Sequence, residues 1–249
     1  MQRKKIKLDL LIHDLKVPLA VIEAGAGSLL RRPEKYGPLT EPQKKVLMRV
    51  LRNTKITELL VNDALELGRS SEGIITKRKF KLSNLIEQAL MEILDLKDHA
   101  ISEKIKNCHD FQRLKKSLEE KGLFLFIDEN LWQEEVCMDE TKVKQILRNL
   151  LGNALKYRMS KVELTIDKDD GCLVFTVKDD GEGIPAVHHK KIFECYFQAN
   201  PSETHTVRGH GLGLAGVMVL VEEMGGMLCL ESDENKGAKF MVHVPLSLT

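Results

Sequence analysis

Residues 179–185 read DDGEGIP, and GHGLGLAG follows at 209–216. Glycine lets a chain pass close to a phosphate or a base and reach positive φ without steric penalty. The second cluster runs straight into an apolar stretch, so its free N–H groups would open a helix and face an anion. Two such clusters on either side of one polar, lid-sized segment describe a nucleotide pocket built largely from backbone. Upstream, Asn149 and Asn153 stand four apart in a helical pattern, which projects both amides from one face. An amide oxygen so placed can ligate Mg2+, which offsets phosphate charge. Far upstream, His13 and Asp14 precede Pro18 on an apolar-periodic stretch. A neutral imidazole nitrogen is a nucleophile toward phosphorus.

These groups need elements to hold them, and 249 residues suffice for one large domain or two modest ones. Residues 5–32 carry Leu8, Leu11, Leu15, Leu19 and Ile22 at three- and four-residue steps, a helix with a bend expected at Pro18. Residues 32–38 form a turn, and Thr40 is placed to cap a second helix reaching about Gly68. On that helix Val46, Val50, Asn53, Thr57, Leu60, Ala64 and Leu67 follow a coiled-coil-like seam, with Leu47, Leu51, Val61 and Leu65 in a parallel row. Two apolar faces cannot both be buried by one partner helix. Pairing two hairpins as a dimeric four-helix bundle buries them, which makes residues 1–70 a dimerisation module.

Residues 70–73 mark a linker, and the pattern from 71 to 249 is mixed. Strands are expected at 77–82, 123–127, 134–138, 161–166 and 172–177, with two more around the turn at Asn235, Lys236 and Gly237. Helices are expected at 83–96 with Ser83 as N-cap, across the charged stretch 98–121, at 139–157 and at 211–224. The fold class is therefore α+β: a helical hairpin, then an α/β sandwich with helices on one face of a mixed sheet.

Lys+Arg number 38 against Asp+Glu 37, so no global field favours nucleic acid or an anionic membrane. No apolar run approaches the roughly 20 residues that span a bilayer, so no membrane segment is expected in this chain. Cys108, Cys137, Cys172, Cys195 and Cys229 are scattered and odd in number, the usage of reduced cytosolic thiols rather than a disulfide frame or zinc site. A cytoplasmic protein, or the cytoplasmic part of a larger membrane-attached one, fits this usage.

Five motifs in order resemble the catalytic core of the sensor histidine kinases over nearly the whole chain. IHDLKVPL at 12–19 resembles the phosphoacceptor box, usually written H-E/D-x-x-T/N-P-L, and QILRNLLGNALKY at 145–157 the Asn box. VKDDGEGIP at 177–185 resembles the first glycine box, IFECYFQ at 192–198 the Phe box and GHGLGLA at 209–215 the second glycine box. The resemblance implies a helical-hairpin dimer followed by a Bergerat-type ATP-binding domain. It implies a kinase that phosphorylates His13 from ATP with Mg2+ and passes the phosphoryl group to an aspartate of a response-regulator receiver domain.

The same resemblance distributes roles. Asp14 accepts the imidazole N–H and makes the attacking nitrogen of His13 more basic. Asn153 is the metal ligand, Asn149 supports the phosphates, and Lys156 reaches them as a cation, with Tyr157 beside it. Asp179 accepts the adenine amino group, whereas Asp180 belongs to the turn or its surroundings. Gly181 and Gly183 let the backbone approach, and Ile184 packs on the base. Phe193 and Phe197 are hinges of a lid at 199–208, with direct nucleotide contact an equal alternative. Arg208 is either a phosphate contact or a solvated loop cation. Gly209, Gly211, Leu212, Gly213 and Leu214 form the second wall.

Two departures stand out. Val17 occupies the place where Thr or Asn is thought to orient a hydrolytic water, and valine makes no hydrogen bond. Weak phosphatase activity is the expectation. The stretch 84–122 exceeds the family pattern, with the insertion near 98–121: an extra helix on the lid or on the hairpin, or a solvated ornament. A catalytically silent nucleotide-binding scaffold that modulates another kinase remains the alternative reading.

Overall fold

Helix α1 (Gln2–Arg31) runs as one helix with Pro18 inside it. The computed structural model describes the backbone of residues 2–69, 75–95, 111–194, 197 and 213–246, and the side chains of the same residues apart from 2–13, 59, 60, 62–69 and 95. A one-turn helix, α2 (Pro33–Tyr36), leads to α3 (Glu41–Arg69), which packs along α1. Thr40 opens α3 through a reciprocal cap: its N–H donates to Gln43 Oε1 at 2.8 Å, and the Gln43 N–H reaches Thr40 Oγ1 at 3.4 Å. Ala26 and Thr54 are buried within this hairpin. Leu15, Val17, Val21 and Ile22 on α1 and Val46 on α3 stay exposed, as do Asn53 and Thr57 of the seam. The apolar excess of the hairpin thus faces outward from the single chain. Leu60, Ala64, Leu65 and Leu67 have side chains outside the described set.

The chain divides into two compact units, Met1–Ser71 and Glu72–Thr249. The second begins with β1 (Arg78–Lys81), paired antiparallel to β3 (Glu135–Met138) as a two-stranded sheet. Helix α4 (Leu82–Asp95) follows at once. It starts one residue before Ser83, because the fully buried Leu82 is pinned by its N–H to the Glu134 carbonyl at 3.0 Å. Ser83 is therefore a buried first-turn residue and not the cap.

Of the charged stretch at 98–121, residues 111–121 are described, and they form α5 (Phe111–Glu119) and the turn after it. The helix packs on its own domain through buried Leu114 and Leu118 against β2 (Leu123–Ile127), and Phe111 lies 4.6 Å from the Trp132 ring. Residues 111–119 thus belong to the packed core of the second unit and are not a solvated ornament, while residues 98–110 lie outside the described residues. Trp132 sits on α6 (Glu129–Gln133), a single turn capped by Asp128 Oδ1 accepting the Asn130 N–H at 2.8 Å.

The main sheet has the order β2, β4 (Val162–Asp169), β5 (Cys172–Asp179), β7 (Ala238–Pro245), β6 (Met227–Ser232). β2 runs parallel to β4 and the remaining pairs are antiparallel, so the sheet is mixed. Asp170 and Gly171 link β4 to β5 with φ of 44° and 74°, the left-handed pair that a two-residue hairpin turn requires. Alternation is clean: Val162, Leu164 and Ile166 on β4, and Phe240, Val242 and Val244 on β7, are buried. Helix α7 (Glu140–Tyr157) lies on that face, flanked by α4 and α8 (Gly213–Glu223).

One buried ion pair braces α7 against α8. Lys142 Nζ meets Glu223 Oε2 at 2.5 Å, with both side chains below a tenth exposed. Removing one partner strands a charge in the core, whereas replacing both with apolar groups of similar volume does not. Glu223→Ala is expected to destabilise the second unit by about 3–5 kcal/mol in urea unfolding. The double variant Lys142→Met/Glu223→Leu should recover most of that loss.

Candidate nucleotide site

The amphipathicity of α7 aims its polar residues. Val143, Ile146, Leu147, Leu150, Leu151 and Ala154 are buried, which turns Asn149, Asn153 and Lys156 to the half-exposed side. Asp139 caps the helix by accepting the Lys142 N–H at 3.1 Å. Asn149 Nδ2 donates to the Gly213 carbonyl at 3.3 Å, so it grips the first residue of α8. The Asn153 side chain has no hydrogen bond to any described residue. Lys156 Nζ rests 2.9 Å from the Tyr157 hydroxyl and 4.5 Å from the centre of its ring.

The turn after β5 is the second wall. Asp179 is buried, at 6% exposure, and its Oδ1 accepts the N–H groups of Gly181 at 2.9 Å and Ala238 at 3.4 Å. No described group donates to its Oδ2. Burial raises the Asp179 carboxyl above its ordinary value against the pull of those two N–H groups. Asp180 behaves in the opposite way. It accepts the N–H groups of Met159 at 3.0 Å, Ser160 at 3.0 Å and Lys161 at 3.0 Å, together with the Ser160 hydroxyl. Desolvation works against its charge, but the Ser160 hydroxyl and the three N–H groups together hold its carboxyl well below the usual carboxylate range.

The glycines of this turn are demanded by the protein itself. A Cβ on Gly183, where φ is +74°, would lie 1.9 Å from the Asp233 carbonyl oxygen. One on Gly181 would lie 2.3 Å from that of Tyr157. Both glycines thus lie directly against backbone of the same protein. The β6–β7 turn completes the contact: Ile184 N–H donates to Ser232 Oγ at 2.8 Å, and Ser232 Oγ donates to the Gly237 carbonyl at 2.7 Å. Ser160, Ser232 and Gly237 are absent from the site residues read from sequence, because each acts on a partner that is distant along the chain or through a turn.

Ile184, Phe193 and Phe197 are half-buried and pack against the core. Phe193 meets Phe240 edge-on, with ring centres 6.5 Å apart, and Phe197 lies 5.4 Å from the His188 ring. Gly213 and Leu214 begin α8. The segment 199–208 with Arg208, then Gly209, Gly211 and Leu212, lies outside the described residues, as do the side chain of His13, Cys108, Cys195 and the linker at 70–73. The structure thus brings together Asn149 with Gly213, and Tyr157 with Gly181. His13 lies in the backbone of α1 with Asp14 exposed beside it, both within the first unit.

Residues 10–73 match the His Kinase A (phospho-acceptor) domain, and residues 138–248 the histidine kinase-, DNA gyrase B- and HSP90-like ATPase. The chain is the catalytic core of a sensor histidine kinase. It is 30% identical over 237 residues to the circadian input-output histidine kinase CikA of Synechococcus elongatus, covering 94% of this chain and 29% of that protein. Identity to the sensor protein SrrB of Staphylococcus aureus is 26% over 252 residues, covering 98% of this chain and 38% of that protein. The chain therefore spans well under half the length of these relatives. Its fold is similar to full-length ShkA in complex with AMPPNP, with TM-score 0.66, 24% identity and coverage of 98% of this chain and 46% of that chain. It is also similar to the Acinetobacter baumannii histidine kinase AdeS, with TM-score 0.56, 16% identity and coverage of 95% and 98%. No helix among the described residues is long and apolar enough to cross a membrane.

The two neighbouring aspartates give stability a defined acid dependence. A carboxyl lowered on folding stabilises above its unfolded value of 3.8, and that contribution drains away as the pH falls below it. Asp179, raised on folding, works with the opposite sign and is relieved by protonation. Asp180→Asn is therefore expected to lose about 1–2 kcal/mol near neutral pH, allowing for its partial exposure. Urea unfolding across a pH series should show the gap from wild type closing between roughly pH 5 and pH 2.

Proposed function

We propose that the chain is the ATP-dependent autokinase of a two-component system. In this reading residues 1–70 are the dimerisation and phosphoacceptor hairpin, and residues 71–249 bind ATP. The observation that carries the reading is the buried Asp179 carboxylate, fixed through one oxygen and open through the other, beside the helix that bears Asn149 and Asn153. A carboxylate so held selects a base with an amino group over one with a carbonyl at that edge, since only a donor satisfies it. Gly181, Gly183 and Ile184 line the base side, and Phe193 and Phe197 support it. The family resemblance assigns Lys156, Tyr157, Gly213 and Leu214 to the phosphate side, together with Arg208, Gly209, Gly211 and Leu212, which lie outside the described residues.

Mg2+, bound by the triphosphate and the Asn153 amide oxygen, would offset charge on the transferring phosphoryl group. The donor chemistry suits that role, because a neutral amide leaves the metal its positive charge for the phosphates. No trio of His, Cys, Asp or Glu converges among the described residues to hold a metal without them. One imidazole nitrogen of His13 attacks the γ-phosphorus, the bond to the bridging oxygen breaks, and ADP leaves. Asp14 holds the proton on the other ring nitrogen. The phosphoramidate then passes its phosphoryl group to an aspartate of a response-regulator receiver domain. The exposed apolar residues of α1 and α3 support a homodimer that covers them.

Incubation with ATP labelled at the γ-phosphate should place acid-labile, base-stable label on the protein, and His13→Gln should abolish it. Label that persists in that variant refutes the acceptor; ATP bound without any label returns the silent scaffold. Asp179→Asn is expected to weaken ATP binding by about ten- to a hundredfold, the loss of a charge-assisted bond. Val17 supports weak phosphatase activity. Decay of the phosphorylated partner should be no faster with the protein than without it, and clear acceleration sinks that reading.

A further inference from the structure

We propose that Asp180 is a positioning residue for nucleotide binding. Its carboxylate clasps the turn at 159–161 and so sets the C-terminal end of the Asn-bearing helix against the glycine turn. The proposal rests on the reading of this pocket as an ATP site.

Three consecutive N–H groups and one hydroxyl converge on the Asp180 carboxylate. Such convergence is an anion-binding nest, filled here by a side chain of the same protein. It sits where α7 ends, with Tyr157 the last helical residue and Arg158 as C-cap. From the other side the same turn is held by Gly122, whose carbonyl accepts from Val162 N–H at 2.8 Å and Arg158 Nη1 at 3.2 Å. A Cβ on Gly122 would strike the Ser160 carbonyl at 2.3 Å, so the turn lies directly against Gly122. Across it, the Tyr157 carbonyl occupies the space a Cβ on Gly181 would need.

The consequence is a chain of fixed distances. Asp180 follows Asp179 and precedes Gly181, so one residue joins the base-reading carboxylate to the turn that ends α7. Asn153, Lys156 and Tyr157 occupy the last turns of α7 and inherit its placement. Without the clasp, three amides lose their acceptor, and the helix end and the glycine turn are free to part. Binding must then order them again, which reduces apparent affinity by the fraction of protein still in the competent arrangement. Asp180 touches neither phosphate nor base in this account. Its loss should therefore act on affinity and leave the maximal rate nearly unchanged.

The test uses the full chain with Asp180→Ala, Asp180→Asn and Ser160→Ala, at a temperature where thermal unfolding shows each variant folded. Titration with a non-hydrolysable ATP analogue and Mg2+ should give an apparent Kd about tenfold higher for Asp180→Ala. Asp180→Asn should fall between it and wild type, since an amide oxygen accepts fewer of the same N–H groups, and Ser160→Ala should stay near wild type. The autophosphorylation KM for ATP should rise in the same order, with maximal rates within about twofold. Hydrogen exchange at 159–161 should quicken in nucleotide-free Asp180→Ala and slow again on binding. A folded Asp180→Ala with unchanged Kd overturns the clasp and leaves the ATP site standing, whereas a wild type that binds no analogue overturns the ATP reading itself. Faster exchange spread over the whole domain, with the Kd unmoved, marks Asp180 as a stability residue only.

Discussion

Around the turn that follows β5, backbone meets backbone with no room for a side chain. The Asp233 and Tyr157 carbonyl oxygens fill the positions that Cβ atoms would take on Gly183 and Gly181, and a Cβ on Gly237 would lie 2.0 Å from the Asp179 carbonyl oxygen. Glycine there serves packing before it serves a ligand. Because the turn is wedged between the end of α7 and the β6–β7 turn, the Asp179 carboxylate has little freedom left. Ser232, accepting from Ile184 and donating to the Gly237 carbonyl, closes the wedge with a side chain that satisfies two part-buried backbone groups at once.

Helix α7 transmits this order across the site. Its apolar face fixes its rotation on the sheet, and its rotation fixes where Asn149 and Asn153 point. At one end Lys142 and Glu223 tie it to the last residue of α8. In the middle Asn149 takes the carbonyl of Gly213, the first residue of α8. The helix that begins at the second glycine cluster is thus held to α7 near both its ends, by an ion pair at one and an amide at the other. An amide committed to a backbone carbonyl acts first on the wall of the pocket, through the placement of α8.

The sheet, most helices and the polar side of α7 were legible in sequence, because each rests on local periodicity. Strand alternation in 162–166 and 238–244 and the left-handed turn at Asp170 and Gly171 needed no knowledge of the rest of the chain. What was not legible depends on distant partners. Lys142 and Glu223 are 81 residues apart, and Ser160 and Asp180 are 20. A lysine in the first turn of a helix reads as solvated, and only the fold shows it buried. Helix α6 escaped for another reason: five residues are too few to display a period, and only the Asp128 cap announces it. The cap expected at Ser83 followed a local rule that tertiary packing overrides. The sequence reading of Arg208, Gly209, Gly211 and Leu212 falls outside the described residues.

The period of a strand explains why two adjacent aspartates take different work. Phe175, Val177 and Asp179 are alternate residues of β5 and all three are buried, so Asp179 belongs to the face that packs under the helices. Asp179 pairs with Val162 at the start of β4, and Asp180 is the first residue past the ladder. It meets the incoming N–H groups of 159–161, which have no strand partner there. One carboxylate is therefore desolvated with an oxygen to spare, and its neighbour is saturated with donors. Exchanging their roles would require shifting β5 by one residue, which would turn Phe175 and Val177 out of the core. The same register that buries the core thus decides which aspartate keeps an oxygen without a described donor and which is saturated with donors.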